Sequence, residues 1–124
     1  MYYGENLKRG DIIYCNLGNN KVGSVQSGSR YCLVISNDQG NRTSTTLEIA
    51  PFTSSTTKKN LPCHIDVEGF GLKKPSTLLL EQITTISLIC VDRRVGHIDD
   101  EDLLREIDLK ILKQLGIDIK KLIK

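Results

Sequence analysis

The sequence predicts a mostly β fold of the α+β class, a small β-barrel or curled antiparallel sheet with a C-terminal amphipathic helix. Two patterns predict it. About five or six short apolar segments are separated by polar turns rich in glycine, asparagine and serine. One segment of helical periodicity follows them, and strands followed by a single helix are typical of a sheet that packs against that helix. With 124 residues, the chain is expected to form one domain over residues 1–124.

The first two predicted strands flank a long polar segment. Residues 12–17, IIYCNL, follow a turn at residues 8–11. Residues 31–35, YCLVI, form a continuous apolar run typical of a central strand. Residues 18–29 between them have no periodicity. A loop of about a dozen residues is uncommon in a compact domain unless it is functional or mobile.

Further strands are predicted at residues 45–52, 62–68, 76–83 and 87–93, the last two being two strands or a strand and a short linking segment. A turn is expected at residues 37–41, which are dense in asparagine, aspartate and glycine. In residues 62–68, alternation places Cys63, Ile65 and Val67 on one face of the strand. His64 and Asp66 fall on the other face, so His64 is expected to be exposed.

The C-terminal helix is expected to begin after Asp99 and Asp100, which offer an N-cap and a negative charge at the positive end of the helix dipole. Gly116 is a natural stop. Apolar residues at helical spacing predict one buried stripe, formed by Leu103, Leu104, Ile107, Ile111, Leu112 and Leu115. The pattern of the basic tail, residues 117–124, indicates no particular role.

The composition of the chain excludes several classes of protein. A formal net charge of +2 does not indicate nucleic-acid binding by bulk attraction. The four cysteines form no C-x-x-C pair and have no histidine at a conventional ligand spacing, so neither a metal nor a cofactor is expected. The sequence has no apolar segment typical of a signal peptide or a membrane span, and free cysteines suit a reducing compartment. We therefore expect a cytoplasmic protein with no membrane partner.

Polar residues stand at three strand boundaries, where a rigid scaffold could aim them. Arg30 opens the second strand, and its guanidinium either pairs at the surface or grips an anion such as phosphate. Thr53 closes the third strand, as a turn hydroxyl or as a donor to a reacting oxygen. Glu81 and Gln82 interrupt an apolar strand, whose alternation would turn one of them inward.

Short motifs follow one another in a fixed order. They are RGDI at 9–12, GSR at 28–30, CLVISND at 32–38, GNR at 40–42, the strand that ends at Thr53, LPCH at 61–64, LLEQI at 79–83, TI at 85–86 and HI at 97–98. In this order they resemble the MazF/PemK-type toxins, the endoribonucleases of toxin–antitoxin pairs. The resemblance covers about residues 8–116, and the set is far more specific than any one motif.

The resemblance implies a small SH3-like β-barrel with short helices that acts as a homodimer. It implies the toxin of a type II toxin–antitoxin system, which cleaves single-stranded RNA, chiefly mRNA, at specific sequences and without metal, and so inhibits translation and growth. The 2′-OH attacks the adjacent phosphate and leaves 2′,3′-cyclic phosphate and 5′-OH ends. A cognate MazE-like antitoxin is expected to lay an acidic C-terminal segment in the RNA groove.

The family's catalytic pair falls on Arg30 and Thr53. A guanidinium is a poor general base, so Arg30 is assigned to clamping the phosphate and stabilising its charge, while Thr53 orients the phosphate or relays a proton. Glu81 is the chemical candidate for deprotonating the 2′-OH. The predicted RNA-binding residues, from the resemblance and from a basic loop, are Ser24, Gln26, Ser29, Glu81, Gln82, Lys58 and Lys59.

The chain departs from the family pattern at two positions. Tyr31 replaces a proline that usually follows the catalytic arginine, and Thr84 replaces an arginine. The second change removes a phosphate contact, which a loop lysine could supply from Lys58, Lys59, Lys73 or Lys74. Two other classes stay open: a toxin of the same fold that poisons DNA gyrase, and an inactive partner-binding module. Arg30 and Thr53 at the matched positions argue against both.

Overall fold

The computed structural model describes residues 6–19, 21–54 and 61–123, and it confirms the predicted fold class. Lys58 and Lys59 lie outside the described residues. The strands are β1 (Asp11–Asn16), β2 (Ser29–Val34), β3 (Thr46–Thr53), β4 (His64–Val67), β5 (Ser76–Leu79), β6 (Thr84–Ser87) and β7 (Val91–His97). The helices are α1 (Asp38–Thr43), α2 (Glu101–Gln114) and α3 (Ile119–Leu122).

The strands form one antiparallel sheet in the order β4-β5-β3-β2-β1-β7, and β6 pairs with β3 beside that path. The long strand β3 has two partners along one edge, because residues 46–49 pair with β6 and residues 52–53 pair with β5. Among the described strands, no pairing joins β7 to β4 or β6. The sheet is therefore curled but not closed, and of the two predicted forms the curled sheet is the one observed.

Apolar side chains cover both faces of the sheet, which is why its central strands are continuous apolar runs. On one face Ile12 and Leu33 pack in a cluster with Ile107 of α2. On the other face Ile13 and Val34 belong to a second cluster, which also contains the buried thiols of Cys15 and Cys32. Free cysteine behaves here as a small apolar residue.

The helix signals of the sequence are confirmed at both ends of α2. The Asp100 carboxylate accepts hydrogen bonds from the backbone N–H groups of Asp102 and Leu103. Gly116 adopts a φ of +75°, which favours glycine, and ends the helix. None of the helices in residues 6–19, 21–54 and 61–123 is long and apolar enough to cross a membrane.

Three local predictions are wrong. Residues 37–41 are not a simple turn, because the Asn37 side chain accepts from the Gly40 N–H at 2.7 Å and caps α1. The strand predicted at residues 76–83 stops at Leu79, and a 3₁₀ turn follows at Leu80–Gln82. Leu115 is 60% exposed rather than part of the buried stripe, and it is the C-cap residue at the end of α2.

Candidate functional site

A groove of about 1000 Å³ lies between the segment that follows β1 and the turn and strand at residues 81–87. It gathers four of the predicted RNA-binding residues, because Gln26, Ser29, Glu81 and Gln82 all line it. Thr84, which stands where the family has an arginine, lines it as well. Residues from two distant parts of the sequence therefore share one surface.

The Gln82 side chain forms hydrogen bonds with residues 24–26 of the long loop between β1 and β2. Its side-chain oxygen accepts from the Gln26 N–H at 2.7 Å, and its amide nitrogen donates to the Ser24 carbonyl at 3.0 Å. A primary amide satisfies a backbone donor and a backbone acceptor at once, as a neighbouring strand would. The adjacent Glu81 and Gln82 serve different partners because a 3₁₀ turn separates successive side chains by about a third of a turn.

We expect Gln82→Ala to free residues 24–26 while the fold is kept. The variant loses two hydrogen bonds, so its free energy of unfolding should fall by about 1 to 3 kcal/mol. Amide exchange of Gln26 should become faster by at least about tenfold. Hydrogen-exchange mass spectrometry checks this, with Gln114→Ala on the exposed end of α2 as the matched control. Unchanged exchange at residues 24–26 would contradict the anchoring role.

Arg30 lines a second, smaller cavity of about 260 Å³ together with Lys73 and Lys74. This cavity shares Tyr14 and Ser29 with the large groove, so the two lie side by side. The Arg30 Nε–H donates to the Ser27 carbonyl at 2.8 Å. The two terminal nitrogens have no partner among the described residues, which leaves that edge of the guanidinium available to a phosphate.

Tyr31, which replaces the family's proline, becomes part of this cavity. Its ring packs edge-to-face on Tyr14, with centroids 5.0 Å apart and an interplanar angle of 61°. The Arg93 guanidinium lies over the Tyr14 ring, 4.7 Å from its centroid. Such a stack of rings and cation holds the cavity wall in place next to Arg30.

Thr53 ends β3 and is only 5% exposed. The β2–β3 ladder ends at the pair Cys32 and Pro51, and Thr53 pairs with Thr77 of β5. Phe52 and Ser54, on either side of Thr53, line the Arg30 cavity. Thr53 therefore lies between two residues of the Arg30 cavity along the chain and is more deeply buried than Arg30.

The prediction that His64 is exposed is wrong. Its side chain is 3% exposed, and Nε2 lies 3.0 Å from Glu81 Oε2. Nδ1 accepts from the Leu61 N–H at 3.1 Å, so the ring proton is assigned to Nε2, which donates to Glu81. A histidine with both nitrogens satisfied can be buried without charge, which alternation of polar and apolar residues does not reveal.

Glu81 sits between His64 and Cys63, whose Sγ lies 3.5 Å from Glu81 Oε1. Burial acts to raise the pKa of Glu81, but hydrogen bonds from His64, its own backbone and Cys63 outweigh it and lower the pKa from the ordinary 4.5. Burial, and then the negative charge of Glu81, raises the pKa of the Cys63 thiol. The cluster therefore contains a carboxylate and a protonated thiol at neutral pH.

Because the pKa of Glu81 is lowered in the folded protein, the free energy of unfolding is expected to depend on pH in the acid range. A carboxyl whose pKa is lower in the folded state stabilises the fold above its unfolded pKa, and this stability is lost as pH falls through the folded pKa. We expect Glu81→Gln to lose less stability than the parent between pH 6 and about pH 3. Urea unfolding at both pH values measures it, with Glu48→Gln at an exposed position as control. Equal losses in parent and Glu81→Gln would contradict the linkage.

Sequence reasoning missed the convergence of Cys63, His64 and Glu81, because the adjacent cysteine and histidine have no ligand spacing and the glutamate lies on another element. Of the four candidate lysines, Lys73 and Lys74 line the Arg30 cavity, and Lys58 and Lys59 lie outside the described residues. The sequence signal for Lys73 and Lys74 was Thr84, which stands where the family has an arginine, so that another side chain has to supply the positive charge.

The fold is a small curled antiparallel sheet with a polar groove at its surface. Residues 8–115 match the PemK-like, MazF-like toxins of type II toxin–antitoxin systems, and the chain belongs to this family. The resemblance identified from the sequence is thereby confirmed. Endoribonuclease EndoA of Bacillus subtilis (strain 168) is 41% identical over 97 residues, which cover 77% of this chain and 83% of EndoA.

Solved structures share the fold. MazF (Form-I) of Deinococcus radiodurans superimposes with a TM-score of 0.75 at 20% identity, covering 90% of this chain and 97% of that one. An endoribonuclease in complex with its cognate antitoxin, from a Mycobacterial species, has a TM-score of 0.72 at 17% identity, covering 92% and 97% of the two chains. At 17% and 20% identity, these similarities show a shared fold and nothing further.

Proposed function

We propose that this toxin is an endoribonuclease that cleaves single-stranded RNA, chiefly mRNA, in the groove beside Arg30. The observation that carries the proposal is that the Arg30 cavity borders a groove lined by Gln26, Glu81 and Gln82 and shares Tyr14 and Ser29 with it. The similarity to the endoribonuclease EndoA supports the same activity. Cleavage of mRNA would inhibit translation and growth, and the substrate implies that the toxin acts in the cytoplasm.

The chemistry that suits these residues is attack of the 2′-OH on the adjacent phosphate. The P–O bond to the 5′ oxygen breaks, leaving a 2′,3′-cyclic phosphate and a 5′-OH end. Charge builds on the non-bridging oxygens, where the forked guanidinium of Arg30 donates hydrogen bonds without a metal ion. Thr53, whose neighbours Phe52 and Ser54 line the Arg30 cavity, orients the phosphate or relays a proton.

Glu81 is better suited to RNA recognition than to proton abstraction. The lowered pKa makes its carboxylate a weak base, and its oxygens already accept from His64 and Cys63. A fixed carboxylate at the groove accepts hydrogen bonds from nucleobase amino groups. The side-chain oxygen of Gln26 is buried and has no partner within the described residues, and a base N–H would satisfy it. Sequence specificity would rest on such contacts, together with Ser24 and Ser29.

Lys73 and Lys74 supply the positive charge that the family's arginine provides at position 84. Both line the Arg30 cavity, while Thr84 offers only a hydroxyl in the groove. A substrate phosphate next to the scissile one would lie between these lysines and Arg30. The predicted contribution of Lys58 and Lys59 falls outside the described residues.

We expect the double variant Lys73→Ala/Lys74→Ala to weaken RNA binding by roughly tenfold or more, since two charge-assisted contacts are lost. The slope of log Kobs against log salt should become shallower by roughly 0.7 for each phosphate contact removed. Fluorescence anisotropy with a non-cleavable RNA at several salt concentrations measures both. Lys120→Ala/Lys121→Ala on α3 is the matched control. A parental slope in the Lys73/Lys74 variant would contradict the proposal.

We further propose a homodimer as the active form, with residues 1–124 folding as one domain per protomer. Val25 and Ile89 line the groove and are 53% and 68% exposed, which is an apolar margin that a second protomer would cover. A cognate antitoxin of the MazE type would place an acidic segment in the same groove and neutralise Arg30, Lys73 and Lys74. The antitoxin complex of the Mycobacterial endoribonuclease supports such a partner.

Incubating purified protein with a long single-stranded RNA in EDTA tests the activity. Discrete cleavage products are the expected result. Intact RNA together with trapped gyrase–DNA complexes would favour a gyrase poison of the same fold. Intact RNA with neither activity, from a protein that still binds its antitoxin, would indicate an inactive binding module.

A further inference from the structure

We infer that Cys63, His64 and Glu81 form a binding site for Zn²⁺ at the margin of the groove. Their ligand atoms all lie within 4.8 Å of one another. The Cys63 Sγ to Glu81 Oε1 distance is 3.5 Å, and the His64 Nε2 to Glu81 Oε2 distance is 3.0 Å. Bonds of about 2.0 to 2.3 Å in a tetrahedron place zinc ligands about 3.3 to 3.5 Å apart. The Cys63 and His64 donors thus each lie near this spacing from one oxygen of the Glu81 carboxylate, and a small side-chain adjustment would bring the three donors, all within 4.8 Å, around one ion.

The donor set suits zinc rather than magnesium or calcium. Thiolate and imidazole are soft and borderline ligands, whereas Mg²⁺ and Ca²⁺ prefer oxygen alone. A thiolate from Cys63 and the carboxylate of Glu81 balance the two positive charges, so the occupied site is neutral. Three protein ligands leave a fourth position for water.

Two protons must move when the ion binds. The Cys63 thiol releases its proton to solvent as the Zn–S bond forms. The His64 proton shifts from Nε2 to Nδ1, which breaks the hydrogen bond from the Leu61 N–H. Leu61 is 41% exposed, so water can replace that partner. Since one proton is released, the affinity for Zn²⁺ should rise with pH.

Occupancy would regulate the toxin, a consequence that rests on the proposed function. Zn²⁺ would take up the Glu81 carboxylate that borders the groove and withhold it from RNA. Cleavage should slow as Zn²⁺ is added and recover when EDTA removes it. The ion would thus be an inhibitor of a reaction that needs no metal.

Cobalt titration of the reduced protein, without RNA, tests the site alone. One equivalent of Co²⁺ should produce a thiolate-to-cobalt charge-transfer band in the near ultraviolet, and Zn²⁺ should bleach it. Cys63→Ser should abolish the band and weaken Zn²⁺ binding by at least about tenfold in competition with a chromophoric chelator. Cys90→Ser, which changes a half-buried thiol on another element, should keep both.

A second measurement needs no substitution. Zn²⁺ should protect Cys63 of the parent protein from alkylation by iodoacetamide, while Cys90 reacts as before. Absence of the charge-transfer band in the parent, its persistence in Cys63→Ser, or unprotected Cys63 would overturn the site. Stoichiometric binding with unchanged RNA cleavage would overturn the regulatory consequence, whereas loss of all cleavage activity concerns the proposed function and not the site.

Discussion

Arg30→Ala should lower kcat for RNA cleavage by roughly 10²- to 10³-fold, because a positioned donor to the charge that develops on the phosphate is lost. KM should change less, since Lys73 and Lys74 remain in the same cavity. Arg30→Lys should recover little, as an ammonium keeps the charge but not the fork that addresses two oxygens. Single-turnover cleavage of a short RNA measures the effect.

Arg105→Ala is the matched control, because Arg105 is exposed on α2 and lies outside the groove and the cavity. Its kcat should equal that of the parent. Arg30 also donates to the Ser27 carbonyl, so the circular dichroism and unfolding midpoint of Arg30→Ala must match the parent within error. A folded Arg30→Ala variant with the kcat of the parent would show that Arg30 takes no part in the catalytic step.

His64→Ala should reduce the free energy of unfolding by about 2 to 4 kcal/mol. The change empties a side-chain site that is 3% exposed, and it leaves Glu81 and the Leu61 N–H without their hydrogen-bond partner. Glu81→Gln should cost less than about 1 kcal/mol at neutral pH, since an amide oxygen still accepts from a neutral histidine. Urea unfolding followed by circular dichroism compares the two.

The contrast between these variants tests the protonation state of the pair. If His64 carried a charge, Glu81→Gln would leave a buried cation uncompensated and would be as damaging as His64→Ala. Equal losses in the two variants would therefore contradict the neutral assignment. Asp66→Asn, at an exposed position of the same strand, controls for changes of charge on β4.

The fold could be predicted from the sequence where packing and local signals agree. The run YCLVI became a central strand because both faces of the sheet are buried there, and Asp100 and Gly116 bound α2 through capping. The prediction failed at residues 37–41 and 80–82, where a capping side chain and a single 3₁₀ turn decide the local structure. Such features depend on one or two hydrogen bonds, which periodicity does not detect.

Less of the candidate site than of the fold could be predicted from the sequence. Arg30 and Thr53 stood out as polar residues at strand boundaries, but only the family resemblance favoured catalysis over an ordinary surface or turn role. The place of His64 depends on the β4–β5 pairing, which sets it opposite Leu79 and next to Glu81. No spacing in the sequence encodes that contact, since the loop between the two strands fixes it.

The most direct test of the account is cleavage of an RNA with a single 2′-deoxynucleotide at the mapped cut site. We predict that the parent protein, in EDTA, cuts the all-ribose RNA to 2′,3′-cyclic phosphate and 5′-OH ends. It should bind the substituted RNA with similar affinity and leave it uncut. Cleavage at the deoxy position, or products with 5′-phosphate ends, would contradict attack by the 2′-OH on a phosphate held by Arg30.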